Sequence, residues 1–121
     1  MRLLVVEDDL QLGEALAAGL RQLGHVVDWF TDGRQADFAL VDTRFDAIVL
    51  DPPRSGAREQ TEALAATTAR TIAYVSCNPS SFARDAKILC EGGWTIDWIQ
   101  PVGQFRWSTH VELAARFSRQ G

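Results

Sequence analysis

Phe45-Asp46-Ala47-Ile48-Val49-Leu50-Asp51-Pro52-Pro53 is the stretch from which the architecture of this chain is read. Phe45 to Leu50 read as a strand, with Ala47 to Leu50 an apolar run of the kind buried on both faces of a parallel sheet. The strand cannot continue into Pro52-Pro53, because proline has no amide hydrogen to give to a sheet ladder. Asp51 therefore marks the carboxyl end of a strand. In open α/β sheets ligands bind beyond that end, so one stretch indicates both an architecture and a candidate site.

Upstream, Arg2-Leu3-Leu4-Val5-Val6 reads the same way and runs into Glu7-Asp8-Asp9. Leu10, Leu12, Leu16, Leu20 and Leu23 recur at spacings suited to one helix face, with Gly24 as the stop. A second strand is predicted from His25 to Phe30, then a turn at Thr31-Asp32-Gly33. A short helix from Arg34 to Val41 offers Ala36, Phe38, Ala39 and Leu40 for packing. Downstream, residues 57–66 are rich in alanine and glutamate and predict a helix. Thr71 to Val75 is a fourth strand, ending in Ser76-Cys77-Asn78-Pro79. Ser80 or Ser81 can cap a helix to about Glu91, with Phe82, Ala86 and Leu89 at helical spacing and Gly92-Gly93 as its end. Trp94 to Ile99 predicts a fifth strand with Trp94, Ile96 and Trp98 on one face. Gln100 to Thr109 reads as a loop. In residues 110–118, Val111, Leu113, Ala115 and Phe117 alternate as in a sixth strand. Strands alternating with helices specify a three-layer, doubly wound α/β domain with a mostly parallel sheet. The last two strands have no helix between them and are expected to pair antiparallel.

A chain of 121 residues with 46% hydrophobic and 23% charged side chains suits one globular domain over 1–121. No apolar run reaches the ~20 residues of a membrane span, and no leader segment is visible. Cys77 and Cys90 have neither metal-ligand spacing nor a disulfide framework, which points to a reducing cytoplasm. The net charge of −4 divides unevenly. Residues 1–51 hold 4 basic and 10 acidic side chains, and residues 52–121 hold 8 and 6. An excess of two cations is too small to bind a phosphate backbone, so nucleic acid is not expected as a partner. No partner is singled out, and Phe105 and Trp107 in the loop leave the oligomeric state open.

Two strand ends bring Glu7, Asp8 and Asp51 to one rim. Converging carboxylates repel one another and are commonly reconciled by a hard divalent cation. Leu4-Val5-Val6-Glu7-Asp8-Asp9 and Asp46-Ala47-Ile48-Val49-Leu50-Asp51, at this separation, resemble the receiver domain of two-component response regulators across residues 1–51. The resemblance implies Mg²⁺ held by Glu7, Asp8, Asp51 and the backbone carbonyl of Pro53. It also implies a phosphoacceptor at Asp51 and a phosphate-site hydroxyl at Ser76. The family's later lysine is replaced by Gln100 before Pro101, and a glutamine supplies no cation for phosphoryl oxygens.

Residues 51–118 carry a second resemblance. Asp51-Pro52-Pro53-Arg54, Tyr74-Val75-Ser76-Cys77-Asn78-Pro79 and Gln104-Phe105-Arg106-Trp107-Ser108-Thr109-His110-Val111-Glu112 resemble the carboxyl-terminal part of class I uracil-5 RNA methyltransferases. The resemblance implies Cys77 as the nucleophile toward C6 of a flipped-out uridine and Glu112 as the base for the C5 proton. It implies that Asp51 and the prolines line a pocket shared by substrate and cofactor. S-adenosylmethionine is not expected to bind, because Val5-Val6-Glu7-Asp8-Asp9-Leu10 stands where that family has a glycine-rich turn.

In both families the strand ending at Asp51 lies beside the first strand. Joined there, the halves predict a sheet ordered 2-1-3-4-6-5 with strand 6 antiparallel, a flavodoxin-like/methyltransferase-like hybrid. The expectation is therefore an engineered or recombined chimera, with a receiver-like half over 1–51, a methyltransferase-like half over 52–121 and no competent catalysis. One alternative is a residual receiver binding Mg²⁺ and phosphorylated on Asp51. The other is a fragmentary uracil-5 RNA methyltransferase.

Overall fold

The structure, a computed structural model, describes residues 1–53, 55–64, 67–104 and 111–120. Its elements follow the order β1 (Arg2–Glu7), α1 (Leu10–Gln22), β2 (Val26–Phe30), α2 (Gly33–Asp42), β3 (Ala47–Asp51), α3 (Arg58–Leu64), β4 (Thr71–Ser76), α4 (Pro79–Glu91), β5 (Thr95–Gln104) and β6 (Val111–Ser118). They build one six-stranded sheet in the order β2-β1-β3-β4-β6-β5. β1 pairs in parallel with β2 and β3, and β3 in parallel with β4. β6 is antiparallel to both β4 and β5. This is the order expected from the sequence. Its β2-β1-β3 side is shared by flavodoxin-like and methyltransferase-like sheets, so strand order by itself does not select a hybrid.

Two apolar layers hold the sheet. On one face Leu4, Val6, Ile48, Leu50, Ile72, Tyr74 and Phe117 pack with Ala36 and Leu40 of α2, Leu64 of α3, and Phe82, Ala86 and Leu89 of α4. Phe82 meets the Tyr74 ring edge-on at 5.2 Å between centroids and the Phe117 ring at 6.1 Å. Burying each such large side chain contributes roughly 1.5–3 kcal/mol. On the other face Leu3, Val5 and Val27 pack under Ala17 of α1, with Leu16, Leu20 and Trp29 alongside. The first layer joins β1 to β4 and β6, so strands from both sides of Asp51 share a core.

Several local expectations are corrected. The leucine stripe of α1 does not face the sheet as a whole: Leu10, Leu12 and Leu23 are exposed, and the helix buries Gly13 and Ala17 with Leu16 and Leu20 beside them. The Trp29 ring lies so close to Gly13 that an added Cβ would sit 2.3 Å from it, which turns this face of the helix inward. Asn78, not Ser80 or Ser81, caps α4, accepting from the Ser80 amide at 3.1 Å with Pro79 in the first turn. β5 continues to Gln104 instead of giving way to a loop at Gln100. Pro101 is tolerated because β5 is an edge strand with register shifts between Ile96 and Trp98 and between Pro101 and Gln104. The first shift breaks the alternation, so Trp94 is buried while Trp98 is 47% exposed.

Candidate active site

Strand register sets the candidate residues along one rim. Glu7 lies beside Asp51 across β1 and β3, and Leu50 beside Tyr74 across β3 and β4. Ser76 pairs with Leu113 across β4 and β6. Cys77 and Glu112 are the next residues of the two chains beyond that last antiparallel pair. Glu7, Asp51, Cys77 and Glu112 thus share the edge formed by the carboxyl ends of the parallel strands. Cys77 is half-buried with a free thiol.

Glu7 and Asp51 form a close acidic pair. Glu7 is only 3% exposed. Its Oε1 accepts the Asp9 amide at 2.9 Å, whereas Oε2 is buried with no donor. Burial pushes the Glu7 carboxyl up to about 8, and hydrogen bonding and charge from Asp51 add to the rise. At neutral pH Glu7 is mainly protonated. The other acids of this turn diverge. The Asp9 carboxylate caps α1, accepting the Leu12 amide at 2.9 Å, while Asp8 is exposed and faces a cavity.

That cavity, of about 440 Å³, lies at the point where strand order reverses between β1 and β3. Its walls come from Val6 and Asp8, the Thr31–Arg34 turn, Asp51 to Pro53 with Ser55 and Gly56, the start of α3, and Arg84 of α4. Its volume is in the range of small-molecule sites. Asp8, Asp32, Asp51 and Glu59 oppose Arg34, Arg58 and Arg84, a mixed set that suits a zwitterionic or cationic ligand. Cys77 and Glu112 do not line it; they continue the rim beyond Asp51.

The remaining candidates have local partners. Ser76 is buried, and its hydroxyl donates to the Asn78 carbonyl at 3.0 Å and accepts the Asn78 amide at 3.1 Å, closing the turn that carries Cys77. The Pro53 carbonyl accepts the Gly56 amide at 2.8 Å. Among the described residues no three metal-ligating side chains gather. Arg54, and residues 105–110 of the motif that ends at Glu112, lie outside the described residues. The sequence reading missed Asp32, Gln60, Arg84 and Asp85. Of these only Asp85 left a signal, as an acid beside Ala86 and three residues after Phe82 on the inward face of a helix.

A parallel α/β sheet with an antiparallel strand inserted before its last edge, and a cavity at its switch point, defines a Rossmann-like methyltransferase fold. A solved N-methyltransferase, NodS from Bradyrhizobium japonicum in complex with S-adenosyl-L-homocysteine, is similar with a TM-score of 0.60 and 18% identity, covering 99% of this chain and 67% of that one. The family model for tRNA (Uracil-5-)-methyltransferase matches residues 25–120, and the chain belongs to that family. An uncharacterised RNA methyltransferase of Zymomonas mobilis is 57% identical over 76 residues, 63% of this chain and 19% of that protein. The 23S rRNA (uracil(1939)-C(5))-methyltransferase RlmD of Alteromonas naphthalenivorans is 42% identical over 98 residues, 78% of this chain and 20% of that protein. The chain spans about one fifth of the length of these two relatives.

Two functional expectations are thereby corrected. The reading as a chimera without catalysis, and its phosphorelay alternative, placed a change of ancestry at Asp51. The family match instead begins at residue 25 and runs through Asp51 without a break, and the likeness to RlmD also extends well upstream of it. The expectation of Mg²⁺ and no S-adenosylmethionine is overturned by membership of a methyltransferase family. The physical reasons are visible at the rim. Burial holds the Glu7 carboxyl well above the usual carboxylate range, which lowers the charge beside Asp51. The three acids thought to fill the cofactor's place are mostly turned away, since Glu7 points into the sheet and Asp9 is spent on the helix cap. Among the described residues no helix is long and apolar enough to cross a membrane.

Proposed function

We propose that this chain is the catalytic segment of an S-adenosylmethionine-dependent RNA (uracil-5-)-methyltransferase. The observation that supports the reading is the β4–β6 register, whose last pair, Ser76 with Leu113, directly adjoins Cys77 and Glu112 at the rim that also bears Asp51. Residues 1–121 act as one unit, supported by the core shared between Leu4 and Val6 on one side of Asp51 and Ile72, Tyr74 and Phe117 on the other. The chain's negative charge means that most RNA affinity comes from other parts of such an enzyme. A free thiol nucleophile suits a reducing cytoplasm.

The 440 Å³ cavity fits the cofactor: Asp8 and Asp32 can accept from its ammonium and hydroxyl groups, and Arg34 or Arg58 can meet its carboxylate. When bound, S-adenosylmethionine supplies an electrophilic methyl group. Cys77 adds as thiolate to C6 of the uracil, pushing electron density to C5, where the new carbon–carbon bond forms. Glu112 then removes the C5 proton, the C5–C6 double bond re-forms, and the Cys77 thiolate leaves. Asp51, Pro52 and Pro53 wall the place where base and cofactor meet.

Calorimetric titration of the chain with S-adenosyl-L-homocysteine tests this directly. Saturable binding is expected, weakened in Asp32→Ala; a flat titration at millimolar ligand would refute the proposal.

A further inference from the structure

Asp85 is fully buried on α4, and its donors come from its helix neighbour Arg84, from β4 and from the loop before α3. Its Oδ2 accepts the Ala57 amide at 2.7 Å and the Tyr74 hydroxyl of β4 at 2.5 Å. Its Oδ1 accepts Arg84 Nε at 3.1 Å and Nη2 at 3.0 Å. Arg84 Nη2 also donates to the Ser55 carbonyl at 2.8 Å. Between the two held residues, Gly56 adopts φ +88°, and a Cβ there would fall 2.6 Å from Arg84 Nη2 and 2.8 Å from Asp85 Oδ2. Residues 55–57 are thus held at both ends and closely packed in the middle.

This loop follows directly on Asp51-Pro52-Pro53, and Ser55, Gly56 and Arg84 form part of the cavity wall. Burying a carboxylate costs several kcal/mol, and replacing buried ions with apolar groups is often neutral or stabilising. Stability alone therefore does not account for an acid at this position; geometry does. We infer that Asp85 is a positioning residue, a latch tying β4 and α4 to the 55–57 loop and thereby setting the wall against which the cofactor lies. The inference rests on the cavity being the cofactor site proposed above. An asparagine cannot replace the acid, because its amide NH₂ would face donors that need an acceptor.

The test follows residue-resolved amide exchange and S-adenosyl-L-homocysteine binding in the unmodified chain, Asp85→Asn and Leu89→Ala. Leu89 is a core residue one turn further along the same helix, so its truncation reports general destabilisation. In Asp85→Asn, exchange at Ala57 is expected to accelerate about tenfold or more relative to the β1 amides. Ligand affinity is expected to fall about fivefold or more. Leu89→Ala should keep the relative protection of Ala57 and an affinity within about twofold of the original. Unchanged Ala57 protection and affinity in Asp85→Asn, or equal weakening in both variants, overturns the inference. If the unmodified chain takes up no ligand, the functional proposal fails separately, and Ala57 exchange alone still decides whether Asp85 positions the loop. Should Asp85→Asn not fold, Arg84→Ala is read by the same exchange, faster supporting the latch and unchanged refuting it.

Discussion

Ser76 of β4 pairs with Leu113 of β6 in antiparallel register, and Cys77 and Glu112 are the next residues beyond that pair. A thiol and a carboxylate 35 positions apart in the chain are thereby brought to neighbouring ends of two hydrogen-bonded strands. Addition at one carbon of a uracil ring and proton removal at the adjacent one need two groups in that relation.

Those two roles separate experimentally. With 5-fluorouridine in a short RNA, fluorine replaces the proton that Glu112 would remove, so the Cys77 adduct should persist in the presence of cofactor. Mass spectrometry is expected to show protein joined to methylated oligonucleotide, and nothing in Cys77→Ala. In Glu112→Gln the adduct with ordinary uridine should accumulate, its breakdown slowed by roughly 10²–10⁴. An undiminished adduct in Cys77→Ala would remove the thiol from the chemistry.

Glu7 gives a pH dependence whose sign is set by its raised titration. The ordinary value near 4.5 applies to the unfolded chain and about 8 to the folded one, so the folded state holds the extra proton between them. Stability from this group is complete below about 4.5 and is lost as pH rises through 8. Glu7→Gln, which does not titrate, should be more stable than the parent at pH 8–9 by about 1–3 kcal/mol and nearly equal to it near pH 4. Asp37, also raised by burial, leaves a smaller slope of the same sign. Urea unfolding across pH measures both, and parallel curves for the two proteins would count against the raised titration of Glu7.

Two glycines of α1 should respond in opposite directions to the same change. A Cβ at Gly13 would meet the Trp29 indole at 2.3 Å, and that ring is held by its Nε1 donating to the Glu7 carbonyl at 3.0 Å. Gly13→Ala is therefore expected to cost about 1–3 kcal/mol despite its better helix propensity. Nothing lies within 4 Å of a Cβ at Gly19, so Gly19→Ala should stabilise by about 0.5–1 kcal/mol. Thermal unfolding compares the pair directly.

The cap of α4 offers a third stability test. Asn78→Ala removes the acceptor for the Ser80 amide and should cost about 1 kcal/mol. Since Ser76 bonds to the Asn78 main chain, the turn at Cys77 should survive the change. Ser80→Ala, by contrast, should be nearly neutral in the same melt.

Much of this molecule was legible in one dimension. Phe45 to Leu50, running into Asp51 before two prolines, read as a strand and its end; the strand itself starts two residues later, at Ala47. Phe82, Ala86 and Leu89 read as a buried helix face, and all three are buried. The motifs around Cys77 and Glu112 pointed to the uracil-5 methyltransferase family, to which the chain belongs. The leucines of α1 misled because spacing cannot say which of several apolar stripes a neighbour will accept. Trp98 misled because a β-bulge shifts alternation without leaving a mark in residue type. The acids after β1 suggested a cation site because residue letters carry no direction; Glu7 turns inward, Asp8 outward and Asp9 toward the helix.

The approximate places of most strands and helices are properties of local composition and periodicity, and the amino-acid string determined them unaided; the strand order came from family resemblance. Which carboxylates meet, which one keeps its proton and what holds the cavity wall were decided only in three dimensions. Those outcomes depend on burial and on contacts such as Asp85 with Ala57, 28 positions apart, where the strength of an interaction is set by the water that packing removes.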